Sequence, residues 1–316
     1  MVKLFLRRLL LFLLIPLPLL YGLQYVIDTG LGRSHHIYYE EWNDLFRSRI
    51  NADVLVCGSS RAVNDISPAV LDTILHVNSY NIGMDGTHPP LQFDRLQLYL
   101  QHNKAPDVLV QVLDLTSFTE NSGMDNSLQF LPYLDDTSVW RLTAKYTDHF
   151  TFADRYVPMI KYSNQLPLMA EGIRSFFGRG TASLHVKGYY GRDARWDGSF
   201  ERYVARLQHP ISIRVASRPL QALWAQLHYC REKNIKVILV FPPVYHAFLD
   251  HCTNYTFILQ TVAQCAARDG AVFLDYSQHE MAYSKDNFYN SQHLNRSGAE
   301  VFSRVLAHDI LLHNGH

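Results

Sequence analysis

Short unbroken apolar runs alternate with longer stretches whose apolar residues recur every three to four positions. Asp53–Cys57 is such a run, and Ser67-Pro68 after it pairs a cap with a proline at the first helical position. Asn78–Ile82 is a second run, followed by Gly83-Met84-Asp85-Gly86 and a helical pattern across Leu91–Asn103. Val108–Leu113 is a third, set between Ala105-Pro106-Asp107 and Asp114-Leu115-Thr116. Much later come a helix over Pro219–Lys233, a strand over Ile235–Phe241, the turn Pro242-Pro243 and a helix over Tyr255–Arg268. A strand over Ala271–Leu274 and a last helix after Asn295 close the series. Strands that read as continuous Val/Ile/Leu runs, rather than alternating with polar residues, are buried on both faces. The pattern predicts a doubly wound, mainly parallel five-stranded α/β sheet, with ligand sites at the carboxyl ends of its strands.

The rhythm is missing in two places. From about Glu120 to Arg214 the chain is aromatic and polar, with Gly178-Arg179-Gly180 and Lys187-Gly188-Tyr189-Tyr190-Gly191, and reads as a helical and loop insertion. At the start, Lys3, Arg7 and Arg8 precede Leu9–Ile27, which holds no charge. Nineteen residues at about 1.5 Å each span roughly 28 Å, close to the hydrocarbon thickness of a bilayer. The basic flank predicts an inside N-terminus with the remainder outside, and Tyr21 and Tyr25 suit the outer interface. Pro16 and Pro18 predict a kink. No small-x-small cleavage site follows, so the segment reads as an uncleaved anchor rather than a removed signal. The expected organisation is a transmembrane anchor over 1–30 and a connecting segment over 31–52. An α/β domain over 53–316 follows, interrupted at about 120–214. The expected location is the inner membrane, with the soluble part periplasmic or extracellular.

Composition narrows the function classes. Of 316 residues, 47% are hydrophobic and 18% charged, and the net charge is zero, so the chain folds and carries no basic stripe for nucleic acid. Cys57, Cys230, Cys252 and Cys265 show neither a C-x-x-C nor a zinc spacing. Outside the cytoplasm Cys252 and Cys265 are one possible pair; four buried thiols are the other reading, with Cys57 as plain strand core. No phosphate-binding loop and no histidine cluster at ligand spacing is present, so neither nucleotide nor metal is expected as a cofactor.

The chemistry-bearing residues lie at the two ends of the α/β part. Ser60 follows the first strand through Gly58-Ser59, where a glycine permits a tight turn and a helix start offers free backbone N–H groups. His293 stands two residues before Asn295, a suitable cap for the last helix. A serine at the first strand's end and a histidine at the last strand-to-helix connection form a nucleophile and base if they meet in space. Gly86, after the second strand, is the candidate for a second oxyanion N–H beside that of Ser60. Gly-Ser-Ser clusters are also ordinary caps, and Gly86 is also an ordinary turn glycine. Arg61 is either an anion ligand or a surface partner of Asp65; Asp114 either shapes the crevice or caps a helix. His88-Pro89-Pro90 starts a helix. Tyr189, Tyr190 and Trp196 either stack on sugar rings or form a small second core.

These pieces together resemble the SGNH (GDSL-like) hydrolase superfamily. The likeness is to its membrane-anchored extracytoplasmic branch, which includes the D-alanine transfer protein of teichoic acid modification and alginate O-acetylation proteins. Val56-Cys57-Gly58-Ser59-Ser60-Arg61-Ala62 matches the first block, Gly86 the second-block glycine, and His293-Leu294-Asn295-x-x-Gly298-Ala299 the last. The resemblance covers both ends of the α/β part and leaves the insertion unmatched. It implies a serine esterase or O-acyltransferase that acts on acyl groups, acetyl above all, of a cell-surface glycan or acylated small molecule. It also implies a multi-span membrane acyltransferase as partner. Two departures stand out. The third strand ends Gln111-Val112-Leu113-Asp114-Leu115-Thr116, without the family's oxyanion asparagine. Where the family has an aspartate three residues before the histidine, this chain has Asn290, an exchange that in a serine protease costs about four orders of magnitude in turnover. A Ser–His dyad oriented by a backbone carbonyl, Asp286 as a substitute acid, and a domain that binds without efficient turnover are the three readings of that departure. The last corresponds to a glycan-binding or assembly protein on the same fold.

Overall fold

The computed structural model describes residues 3–5 and 16–314. In chain order its main elements begin with α1 (Pro16–Leu31), β1 (Val54–Cys57), α2 (Ser60–Asp65), α3 (Pro68–Leu75) and β2 (Ser79–Asn81). Then come α4 (Pro89–His102), β3 (Val108–Val112), α5 (Leu166–Phe176), α6 (Ser217–Glu232), β4 (Lys236–Phe241), α7 (Tyr255–Asp269), β5 (Val272–Asp275) and α8 (Arg296–Asn314). The chain divides into two compact units, one of residues 1–43 with 122–184 and the other of 44–121 with 185–316.

The second unit holds a five-stranded sheet in the order β2-β1-β3-β4-β5, every neighbouring pair parallel. The chain winds to one edge, returns past β1 and winds to the other, as the sequence pattern predicts. Alternate strand residues point to opposite faces. Val54, Val56, Val108, Val110, Ile238 and Val240 share one apolar core with Phe302, Leu306 and Ile310 of α8. Those α8 positions recur at helical spacing and are all 0–1% exposed. Gln111, on the other face, donates to Gln92 of α4 (2.8 Å) and accepts from Gln226 of α6 (2.6 Å). Three glutamines thus bridge the sheet and its helices, because a buried amide left unbonded costs about 1–3 kcal/mol. Parallel strands place the ends of β1, β3 and β4 side by side, where Ser60, Asp114 and Pro243 follow them.

In the first unit α1 packs on α5 at two glycines. A Cβ on Gly30 would lie 1.7 Å from the Gly172 carbonyl oxygen, so only glycine allows this approach. Ile27 and Leu31 of α1 are fully buried with Tyr39, Leu131, Tyr162 and Leu168. Among the described residues no helix is long and apolar enough to cross a membrane. The predicted span Leu9–Ile27 lies partly outside the described residues, since 6–15 are not among them. Its described part begins α1 at Pro16, with Leu19 and Tyr25 exposed. The stretch read as one insertion at about 120–214 is shared between the units, its second half belonging to the sheet unit. All four cysteines are free and buried, so Cys252 and Cys265 do not pair, and Cys57 is core within β1.

Candidate active site

Gly58 ends β1 where it runs against β3. A Cβ there would come 2.8 Å from Val112 Cβ and 2.9 Å from the Val112 carbonyl oxygen, so the turn into α2 requires a residue without a side chain. Ser59 caps α2 by accepting from Arg61 N (3.4 Å), and its hydroxyl donates to Asp114 Oδ2 (2.7 Å). Ser60 is therefore the first residue of α2, a six-residue helix that precedes the Ser67-Pro68 helix predicted from sequence. Asn64, one turn on, donates to the Ser60 carbonyl (2.7 Å).

His293 reaches the same point from the opposite end of the chain. Phe288 and Leu294 form an antiparallel bridge, and Tyr289 N donates to the His293 carbonyl (3.2 Å), which closes residues 288–294 into a tight loop. Asn295 then caps α8 by accepting from Gly298 N (2.9 Å). The geometry places Ser60 Oγ 2.8 Å from His293 Nε2, across 233 residues of sequence.

Asn290 decides what that contact can do. Its Oδ1 accepts from the backbone N–H groups of Gln292 (2.9 Å) and His293 (2.9 Å), an Asx turn at the tip of the loop. Two backbone donors identify the atom as oxygen, because an amide NH2 cannot accept from them. The same oxygen lies 3.1 Å from His293 Nδ1. Nδ1 is therefore the protonated nitrogen, and Nε2 presents its lone pair to the Ser60 hydroxyl. The orienting group is the asparagine side chain itself, neither a backbone carbonyl nor Asp286. Asp286 sits on an exposed turn, where its carbonyl accepts from Asn295 Nδ2.

Asn290 carries no charge to stabilise a protonated ring. Burial, reinforced by the Arg61 and Arg192 guanidinium groups and opposed by Asp114, pulls His293 down to about 4. The ring is neutral at pH 7 and free to accept a proton, but it is a weaker base than an ordinary imidazole. Tyr289 stacks on it at 5.4 Å between centroids, 13° from parallel. Arg192 lies over the Tyr289 ring at 5.1 Å and the Tyr190 ring at 5.7 Å.

A buried ion pair ties the two halves of the site together. Arg61 Nε donates to Asp65 Oδ2 (2.8 Å), with side chains 3% and 0% exposed, so the pair is interior and not the surface contact expected from the sequence. Asp65 Oδ1 accepts from Leu294 N (2.9 Å), next to His293, and Arg61 Nη2 donates to the Pro243 carbonyl (2.7 Å) after β4. Burial pushes the Asp65 carboxyl up to about 6, with Arg61 and the Leu294 N–H opposing. The pair therefore holds α2, the β4 turn and the histidine loop in one register. Nothing in the sequence distinguished it from a surface i,i+4 pair; what it joins is distant along the chain.

The remaining candidates take various places. Gly86 lies in an exposed turn with φ +73°, a conformation that favours glycine. In the same turn the N–H groups of Gly83, Met84 and Thr87 already donate to Asn81 Oδ1, the Gly58 carbonyl and the Met84 carbonyl. Asp114 caps the short helix Leu115–Phe118, and its carboxylate also accepts from the Ser59 hydroxyl. His88 stands at the N-cap of α4. Tyr189 is buried in the main core, with Trp196 packed against it, so these two aromatic residues are core rather than an open sugar platform. A cleft of about 440 Å³ opens beside His293, walled partly by residues 290–293.

No family model matches the chain, and no curated protein does. Among solved structures it is similar to a Desulfitobacterium hafniense DCB-2 protein assigned to the lipolytic G-D-S-L family, with 11% identity and a TM-score of 0.40. That match covers 81% of this chain and 97% of the other. It is also similar to an assigned acylhydrolase from Bacteroides fragilis NCTC 9343, with 12% identity and a TM-score of 0.39, over 82% and 87% of the two chains. Likenesses this distant leave the site to be read from its own geometry.

Proposed function

We propose that this protein is an SGNH-like serine esterase or O-acyltransferase, anchored in the membrane, that removes or transfers acyl groups on a cell-surface glycan. The observation that carries the reading is the 2.8 Å contact from Ser60 Oγ to the lone-pair nitrogen of His293, with Asn290 holding the ring's other nitrogen. Ser60 Oγ attacks the ester carbonyl carbon as its proton passes to His293 Nε2. The Ser60 and Gly86 N–H groups are assigned to the developing oxyanion. As the tetrahedral intermediate collapses, the ester C–O bond breaks and His293 returns the proton to the departing oxygen. Water or an acceptor hydroxyl then reverses the sequence and releases Ser60.

The anchor and outward orientation rest on the basic-flanked apolar stretch Leu9–Ile27. An acyl donor made on the other side of the membrane would need a multi-span acyltransferase to deliver it, hence the partner assigned here. The direct test is turnover of p-nitrophenyl acetate. The native protein is expected to hydrolyse it, and Ser60→Ala or His293→Ala to lose at least about 10²-fold in kcat/KM, the lower range for a general base. Equal rates in native protein and Ser60→Ala would return the fold to the non-catalytic binding reading.

A further inference from the structure

The cleft beside His293 has one apolar side and is far larger than an acetyl group. Its apolar walls are Phe200, Tyr203, Ile211, Ile213 and Phe248; Thr116, Ser199 and the loop of residues 290–293 complete the lining. Phe200, Ile213 and Phe248 are buried to 8–9% exposure and form its inner part, while Tyr203, 47% exposed, stands at the rim. The backbone groups behind these side chains already have partners. Ile211 N donates to the His251 carbonyl (2.7 Å) and its own carbonyl accepts from Thr253 N (2.9 Å). Asn254 closes a two-way bond with the backbone of Ile213 (2.9 and 2.8 Å). Phe200 is held edge-on against Tyr245 at 5.6 Å. These walls are therefore preformed and offer a ligand hydrocarbon contact in place of hydrogen bonds.

A sugar ring laid against the five apolar side chains would leave the hydroxyls that face them without partners, which a buried polar group tolerates badly. An acetyl group of three heavy atoms, in a space where each water takes about 30 Å³ of liquid volume, would leave most of the 440 Å³ unfilled. Pockets of about 300–1,000 Å³ with apolar walls and a few polar groups at one end are the usual form of a small-molecule site. Here the polar end is formed by Thr116, Ser199 and the loop of residues 290–293 with the proposed base His293.

We propose that this cleft receives a hydrocarbon group of the ester substrate, so that the protein selects esters carrying a chain well beyond acetyl. The proposal rests on the Ser60–His293 reading above and names the substrate class for it. The hydrocarbon belongs either to the acyl group or to the alcohol, and both place it next to the histidine that must reach the ester oxygen.

The test uses the full chain and two ester series. One is p-nitrophenyl esters from acetate to decanoate; the other is acetate esters of alcohols from ethanol to octanol. Each methylene that enters the cleft is expected to raise kcat/KM by up to about fourfold. The expected result is a gain of about 10²-fold or more across one series, levelling near eight carbons, and the series that shows it identifies which side of the ester lies in the cleft. Ile211→Trp, which fills the cleft from a half-buried wall position, should cut the long-to-short preference about tenfold or more. The rim change Tyr203→Ala, at an exposed position that does not threaten the fold, should weaken the preference more modestly. Flat profiles in both series, or a preference untouched by both variants, overturn the proposal while hydrolysis of acetate still stands. Absence of any Ser60-dependent turnover overturns the esterase reading and this proposal with it.

Discussion

A histidine can serve as a base without a carboxylate behind it when another oxygen holds its Nδ1–H, and Asn290 does so by accepting three N–H groups at once. An asparagine at position 290 therefore fixes the tautomer and brings no charge. The consequence is a pH effect with a definite sign. Activity needs neutral His293, so kcat/KM should fall on the acid side near pH 4, where burial and the nearby guanidinium groups have moved the ring. Asn290→Asp places a negative charge against the ring and favours its protonated form. A pH–rate profile is expected to show the acid limb of that variant moved to higher pH, with a faster plateau. An unchanged limb would mean that residue 290 does not sense the ring's charge. At this scale the sequence singled out Ser60, His293 and Asn290, and the structure brings the three together. The oxygen's orientation was not legible, because it depends on backbone N–H groups two and three residues ahead folding back onto it.

The elements carry a different constraint, that Ser60 and His293 stay in register although one begins α2 and the other precedes α8. Strand recognition worked because parallel strands buried on both faces have no polar alternation, and each of the five appears within about two residues of its apolar run. What could not be read was the lock between α2 and the histidine loop. Asp65 and Arg61 look like any exposed i,i+4 pair until the Leu294 N–H and the Pro243 carbonyl arrive from more than 180 residues away. Asp65→Ala leaves a buried guanidinium without its partner and should cost about 3–5 kcal/mol of stability, measurable by urea unfolding. Asp65→Leu combined with Arg61→Met should recover only part of that loss, since the buried charges go but the Leu294 N–H and the Pro243 carbonyl lose their partners. A loss no larger for Asp65→Ala than for an exposed i,i+4 aspartate would show that the pair is not what holds the loop.

At the level of the whole molecule, the N-terminal segment has two parts, one proposed to anchor and one that packs. Residues 1–15 carry the basic flank and the start of the proposed anchor, while α1 joins the core of the first unit only in its second half, through Ile27, Gly30 and Leu31. A chain begun at Pro16 is expected to fold and to leave the membrane fraction. One begun at Gly32 loses two fully buried apolar side chains at about 2–5 kcal/mol each and should unfold in that unit, as a lowered melting temperature would register. Equal stability of the two truncations would contradict the packing of α1. The pairing of 1–43 with 122–184 was hidden in the sequence because close approach at two glycines leaves no periodic signal. The second half of the stretch read as an insertion was hidden for a similar reason: Phe200 lies in the six-residue helix Ser199–Val204, too short to show a period, and Ile211 and Ile213 line the cleft from irregular chain.

The most direct measurement is intact-mass and peptide mapping after reaction of the folded protein with a fluorophosphonate at pH 7. A working Ser60–His293 pair predicts a single adduct on Ser60, absent from the neighbouring Ser59 whose hydroxyl is bound to Asp114, and lost in His293→Ala and on denaturation. No adduct on the native protein, or one that survives His293→Ala unchanged, would contradict the account.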